Sequence, residues 1–244
     1  MIDCTRSFGR LVETPALSPH MTHLLRACAF ACALAVALGC SPAAPAQPAS
    51  GAAPSASTAR PAPLDGVRFV SREAWGAAPA TYAMTPQEPR ELVIHHTAFR
   101  QRPDLAPEAK MLTLQRFSQS ADRLEDGRAK VRWADVPYHF YIAEDGTVLE
   151  GRDVRYRGDT NTGYDLDGKV QVVLEGNFME ETPSAAQMDA VLALARALAA
   201  RYRIAPEAVS GHRDHAGTVE TSCPGDALGA RLDEIRAAVA SARD

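Results

Sequence analysis

Three residues whose side chains can bind a transition metal lie far apart in the 244-residue sequence: His95, His212 and Cys223. Two imidazole nitrogens and one thiolate suit zinc, which accepts nitrogen and sulfur ligands in tetrahedral geometry. Three protein ligands leave a fourth position for water or substrate, as in catalytic zinc sites. The spacing alone specifies no site, because the ligands are scattered and form neither an HExxH motif nor paired CxxC motifs.

The distribution of cysteines leaves other roles open for Cys223. The other four cysteines all lie within the first 40 residues, at Cys4, Cys28, Cys32 and Cys40. A lone thiol can be buried filler, a metal ligand, or the nucleophile of a cysteine peptidase paired with His212. Pro224 follows Cys223 without the helix start that is typical of such nucleophiles, which disfavours the peptidase.

The composition is that of a globular protein. Apolar residues make up 46% and charged residues 23% of the chain, and the formal net charge is −4 with a pI of about 6.0. This balance lacks the basic footprint of nucleic-acid-binding proteins, so no nucleic-acid partner is predicted.

The first 65 residues are predicted to hold an export signal and a flexible linker that precede the folded domain. Residues 1–20 carry mixed charges and two prolines, which indicates that translation begins at Met21. Residues 21–40 resemble a lipoprotein signal peptide that ends in a lipidated Cys40, with ordinary cleavage near residues 43–46 as the alternative. Residues 41–65, rich in Ala, Pro and Ser, predict a flexible linker. The sequence thus predicts an exported protein, anchored to a membrane through Cys40; Ser41 resembles an outer-membrane sorting signal of Gram-negative bacteria.

The remaining residues, 66–244, predict one α/β domain with a mixed central β-sheet flanked by helices. Residues 91–96 and 170–174 are β-rich, and Asp145-Gly146 predicts a hairpin between residues 138–143 and 147–150. Ser184 with Gln187 predicts the start of a helix that continues to Tyr202. Residues 107–119 show a weak helical pattern, and a final helix is predicted over 227–240. Residues 209–211 are a short segment that leads to His212.

Several short motifs resemble, in the same order, those of the N-acetylmuramoyl-L-alanine amidase family, which includes phage amidase-type lysozymes and peptidoglycan recognition proteins. The resemblance extends from residue 68 to about residue 240. The matching stretches are residues 70–77, 93–98, 137–140, 145–152, 175–178, 211–214 and 223–226.

The resemblance implies a Zn²⁺ cofactor held by His95, His212 and Cys223. It places Tyr138 on the catalytic tyrosine of the family and Thr221 where a second donor to the oxyanion would lie. It implies hydrolysis of the amide bond between N-acetylmuramic acid and L-alanine, with peptidoglycan or muropeptides as partners. The alternative is a non-catalytic peptidoglycan-binding module of the same fold. A monomer is expected.

Other residues have less certain roles under this resemblance. Side chains of neighbouring strand residues point to opposite faces, so His96 is expected to line the cleft or to pack rather than to bind the metal. Asn161 is a candidate substrate contact, in a loop that departs from the family pattern. The segment from His212 to Cys223 is longer than usual and contains His215, a competing but lower-ranked ligand. Val173 holds the place of a catalytic glutamate in the cytoplasmic amidase branch.

Overall fold

A six-stranded mixed sheet forms the centre of the computed structural model, which describes residues 64, 66–123, 127, 129–215, 217 and 220–242. The strands are β1 (Phe69–Val70), β2 (Glu91–His96), β3 (Phe140–Ile142), β4 (Val148–Glu150), β5 (Lys169–Leu174) and β6 (Val209–Gly211). The helices are α1 (Pro107–Gln119), α2 (Ala185–Tyr202), α3 (Asp226–Gly229) and α4 (Leu232–Ala240). Single 3₁₀ turns span Pro206–Ala208 and His212–Asp214.

The strand order is β1-β4-β3-β5-β2-β6. Only the β3–β4 pair is antiparallel, and the other neighbours run parallel. Alternate side chains of β2 and β5 separate into two cores, as the two-residue period of a strand requires. Leu92 and Ile94 join apolar residues of α2 and α4, whereas Val173 joins Met111 of α1. The predicted α/β domain with helices on its sheet is confirmed.

Two local signals in the sequence are confirmed in detail. Gly146 adopts a φ of 82° in the β3–β4 turn, where an added Cβ would lie 2.7 Å from the carbonyl oxygen of Ala186. Ser184 caps α2: its hydroxyl accepts the Gln187 N–H at 3.0 Å, and the Gln187 side chain accepts the Ser184 N–H at 3.1 Å. This reciprocal pair is a capping box.

A buried ion pair fixes the loop that follows β2. Lys110 Nζ lies 2.8 Å from Glu175 Oε2, and the two side chains are 2% and 3% exposed. The other Glu175 oxygen accepts the backbone N–H of Arg102 at 3.0 Å. The pair therefore joins α1, the end of β5 and the loop leading from His96.

The structure differs from the predicted elements at three points. The predicted C-terminal helix is divided into α3 and α4: α3 ends at Gly229, a poor helix former, and Ala230 and Arg231 form a turn in which Arg231 has φ −101° and ψ 2°. The first hairpin strand is shorter than predicted and begins at Phe140. Leu64 is buried in the core with α2 and α4, so the packed domain includes a residue before the predicted boundary at residue 66.

The predicted residues 1–20, signal peptide and Cys40 lie outside the described residues, as does the linker apart from Leu64. Within the described part of the chain, no helix has the length and apolar character needed to cross a bilayer.

Candidate metal centre

Strand pairing brings the two histidines together. β2 and β6 are parallel neighbours, with Ile94 opposite Gly211. The residues that follow in each chain segment are His95 and His212, and their ring centroids lie 4.7 Å apart. Because parallel strands end at the same edge of a sheet, residues 117 positions apart in sequence become neighbours there.

Cys223 reaches the same place from the loop before α3. Its Sγ lies 3.6 Å from His95 Nδ1 and accepts the backbone N–H of His96 at 3.3 Å. The carbonyl of Cys223 accepts the Arg213 N–H at 2.7 Å. A Cβ at Gly211 would lie 2.7 Å from Cδ of Pro224, so glycine at this position lets the cysteine loop pack against β6.

The geometry of the three residues fits a zinc ion. One ligand atom from each of His95, His212 and Cys223 lies within 4.8 Å of the others, and all three residues are buried. In tetrahedral zinc, Zn–S of about 2.3 Å and Zn–N of about 2.0 Å place sulfur and nitrogen about 3.5 Å apart. The Sγ–Nδ1 distance of 3.6 Å is close to that separation. No carboxylate joins the group among the residues that the structure describes.

The environment keeps both imidazoles neutral. Burial lowers the pKa of His95 well below its ordinary value, and His212 and His96 lower it further. Burial, with His215 and His96, lowers the pKa of His212 to about 4. A histidine binds a cation through a ring nitrogen that carries no proton. Both imidazoles are neutral at neutral pH, so each has such a nitrogen.

Tyr138 and Thr221 lie beside the cluster. The ring of Tyr138 is partly exposed, and its centroid is 5.2 Å from that of His95. Thr221 Oγ1 accepts the Cys223 N–H at 3.2 Å, which leaves the hydroxyl able to donate elsewhere. The structure therefore brings both predicted catalytic residues close to the three candidate ligands, while their roles stay predictions.

The other predicted residues occupy different positions. His96 is buried on the opposite side of β2 from His95, and its Nδ1 accepts the Phe178 N–H at 3.2 Å. Asn161 is partly exposed in the loop before β5, next to a residue that contacts His212. Substrate contact by either residue stays a prediction. His215 stacks on Tyr164 and pairs with Ser210, outside the ligand group.

Val173 pairs with His95 across the sheet and is fully buried. No carboxylate is therefore presented at that position of β5. The nearest acidic residue, Glu175, directly follows the strand, and its carboxylate is ion-paired with Lys110.

Sequence reasoning missed Thr162, whose hydroxyl lies 2.7 Å from His212 Nε2. The loop of residues 159–168 stands out in sequence, but no spacing rule tells which of its polar side chains reaches a residue 50 positions later.

Fold and cluster together define a class: an α/β domain with a buried His, His, Cys group at the carboxyl edge of its sheet. A family profile described as N-acetylmuramoyl-L-alanine amidase matches residues 85–226, more than half of the chain. The chain belongs to the N-acetylmuramoyl-L-alanine amidase family, as the motifs predict.

Curated relatives include recognition proteins and amidases. Peptidoglycan-recognition protein SD of Drosophila melanogaster is 29% identical over 173 residues, which covers 69% of this chain and 86% of that protein. The N-acetylmuramoyl-L-alanine amidase of Sus scrofa is 36% identical over 163 residues, covering 63% of this chain but 25% of that protein.

Solved structures show the same fold. The crystal structure of Drosophila PGRP-SD superimposes with a TM-score of 0.57 at 30% identity, covering 69% of this chain and 94% of that one. A mutant of Drosophila PGRP-LB, solved in complex with tracheal cytotoxin, gives a TM-score of 0.55 at 28% identity, covering 68% and 92%.

Proposed function

We propose that this protein is a zinc-dependent N-acetylmuramoyl-L-alanine amidase, which hydrolyses the amide bond between N-acetylmuramic acid and L-alanine in peptidoglycan. The observation that carries the proposal is the buried group of three ligand atoms within 4.8 Å of one another. Structural zinc sites use four protein ligands, whereas this group offers three. The family assignment supplies the substrate class.

The residues of the site would have two roles in hydrolysis: three would bind the metal and two would stabilise the developing negative charge. Zinc, when bound, supplies a Lewis acid that polarises a carbonyl and activates water near neutral pH. His95, His212 and Cys223 would hold it at the sheet edge. Tyr138 and Thr221 would donate hydrogen bonds to the oxygen on which negative charge develops, a role that requires donors placed before the reaction begins.

The second candidate is a binding module without catalysis. The similarity to recognition proteins favours it, since several relatives are peptidoglycan recognition proteins. The complete ligand group favours the enzyme, because a module that only binds peptidoglycan has no need of three metal ligands.

The deciding experiment incubates the purified protein with peptidoglycan and analyses the products. The amidase should release peptide stems with new L-alanine amino ends, lose this activity with a zinc chelator and regain it with zinc. Cleaved glycan strands, or binding without release, would contradict the proposal. Activity that survives chelation would instead favour a cysteine peptidase that uses Cys223 with His212.

Two variants sharpen this experiment. Cys223→Ser replaces the sulfur ligand and should abolish zinc retention together with stem release. Ser222→Ala is the matched control, because Ser222 Oγ has no hydrogen-bond partner among the described residues. Ser222→Ala should behave as the wild type; equal loss in both variants would show damage to the loop rather than loss of a ligand.

We also propose that the protein is exported and tethered to a membrane by a lipid on Cys40, and that it acts as a monomer. The signal-like residues 21–40 support this location. Mass spectrometry of the mature N-terminus should find diacylglycerol on Cys40 and lose it in Cys40→Ala. An unmodified N-terminus near residues 43–46 would indicate ordinary cleavage. Native mass spectrometry tests the monomer.

A further inference from the structure

A buried threonine contacts the second predicted ligand from outside the metal group. Thr162 belongs to the loop of residues 159–168 that leads into β5, and it is 2% exposed. Its Oγ1 lies 2.7 Å from His212 Nε2, a short and buried contact. His212 thus has one ring nitrogen engaged by the loop, and Nδ1 is the other.

This contact bears on which nitrogen of His212 carries the proton. A neutral imidazole has one N–H donor and one acceptor nitrogen, and a cation binds only the acceptor. If Nε2 donates to Thr162, Nδ1 is the acceptor that can bind zinc. If Nε2 accepts from Thr162, Nδ1 carries the proton and cannot. The direction of a single hydrogen bond therefore decides whether His212 is ready to bind metal.

A zinc ion on His212 requires the first direction, because Thr162 engages Nε2 and Nδ1 is the nitrogen left to bind the ion. Thr160 Oγ1 lies 2.8 Å from Thr162 Oγ1, so the Thr162 hydroxyl can donate to Thr160 while it accepts from His212. The backbone N–H of Thr162 also donates to Thr160 Oγ1 at 3.1 Å, which holds the two hydroxyls together. The resulting chain runs from His212 through Thr162 to Thr160.

The loop is also fixed to the sheet. The ring of Tyr164 lies 4.9 Å from that of His212, and its hydroxyl donates to Gln171 Oε1 of β5 at 3.2 Å. The Thr162 hydroxyl is therefore held against His212 by neighbours on both sides. Such an arrangement can orient a ring before any metal arrives.

We propose that Thr162 is a positioning residue for the metal centre: its hydroxyl accepts the Nε2–H of His212 and so presents Nδ1 as the zinc ligand. The inference rests on the zinc site of the proposed function, and it assigns no contact between Thr162 and substrate.

The test compares zinc affinity in three variants of the protein, measured by competition with a chromophoric chelator. Thr162→Val keeps the branched shape and removes the hydroxyl, so zinc should bind about 10- to 100-fold more weakly, the usual effect of losing a partner that orients a ligand. Thr162→Ser keeps the hydroxyl and should restore most of the affinity. Thr113→Val, on the exposed face of α1, is the matched control and should bind zinc as the wild type does.

A second measurement does not depend on metal. ¹⁵N NMR of the histidine rings in the metal-free protein should show His212 protonated at Nε2 in the wild type and in Thr162→Ser. Predominant protonation at Nδ1 in the wild type would overturn the proposal. So would equal zinc affinity in Thr162→Val and the wild type, or equal loss in the serine and valine variants, since the loss would then not follow the presence of the hydroxyl.

The outcomes separate this inference from the proposed function. If the wild type binds zinc, Thr162→Val binds it more weakly and neither releases peptide stems, the amidase proposal fails and the role of Thr162 stands. If the wild type releases stems and Thr162→Val retains full zinc affinity, the amidase proposal stands and the role of Thr162 fails. A wild type that binds no zinc overturns both.

Discussion

His139, next to the candidate catalytic Tyr138, should make the domain less stable in mild acid. Its Nδ1 accepts the backbone N–H of Gln171 at 2.8 Å, and its Nε2 donates to the carbonyl of Tyr156 at 2.9 Å. A backbone N–H can only donate, so Nδ1 must stay unprotonated for the contact to persist. Protonation would set two donors against each other inside the core.

The expected magnitude follows from the pKa. Burial, with a contribution from the Arg152 charge, lowers the pKa of His139 from 6.5 to about 4, against the opposing effect of the Tyr156 carbonyl. Between these values the unfolded chain takes up a proton that the folded domain does not, so stability falls as the pH falls. This linkage removes about 2 kcal/mol of unfolding free energy between pH 7 and pH 5, and about 3 kcal/mol by pH 4.

Urea unfolding of the wild type and His139→Asn at pH 7 and pH 5, with the same zinc content in both, measures the effect. Asparagine can accept the Gln171 N–H but does not titrate. The stability advantage of the wild type over the variant should shrink by about 2 kcal/mol from pH 7 to pH 5. An advantage that is the same at both pH values would refute the reasoning.

Three further changes test other parts of the structure. Lys110→Met leaves the Glu175 carboxylate buried without its cation and should lower the unfolding free energy by about 3–5 kcal/mol in denaturant titrations. The double variant Lys110→Met/Glu175→Gln should lose less stability than Lys110→Met. An equal or larger loss in the double variant would show that the unpaired charge is not the cause. Ser184→Ala should cost about 1 kcal/mol by removing the cap of α2, and an unchanged urea midpoint would contradict that role. Tyr138→Phe should lower kcat for stem release by about 100-fold or more while zinc content stays the same, so a loss of zinc in this variant would count against a catalytic role.

Where the sequence carries short-range signals, it predicts the fold well. Ser184 with Gln187 marks the start of α2, and Asp145-Gly146 marks the β3–β4 turn, because capping and turn chemistry act within a few residues. The break between α3 and α4, at Ala230 and Arg231, carries no such signal, because neither α3 nor α4 begins with a side-chain cap.

The candidate site likewise has residues that the sequence identifies and contacts that only tertiary packing creates. His95, His212 and Cys223 are identified in sequence by their residue types and by the resemblance of the motifs around them, and the structure brings them together. The contact between Thr162 and His212 depends on how one loop crosses the carboxyl edge of the sheet. The Lys110–Glu175 pair likewise joins residues 65 positions apart through tertiary packing alone. Neither partner shows a local pattern that points to the other.

X-ray absorption spectroscopy at the zinc edge of the zinc-loaded protein tests the central claim most directly. Two histidines and Cys223 around one ion predict a single sulfur at about 2.3 Å, two imidazole nitrogens at about 2.0 Å and one light atom from solvent. A first shell without sulfur, or one filled by four protein ligands, would contradict the account.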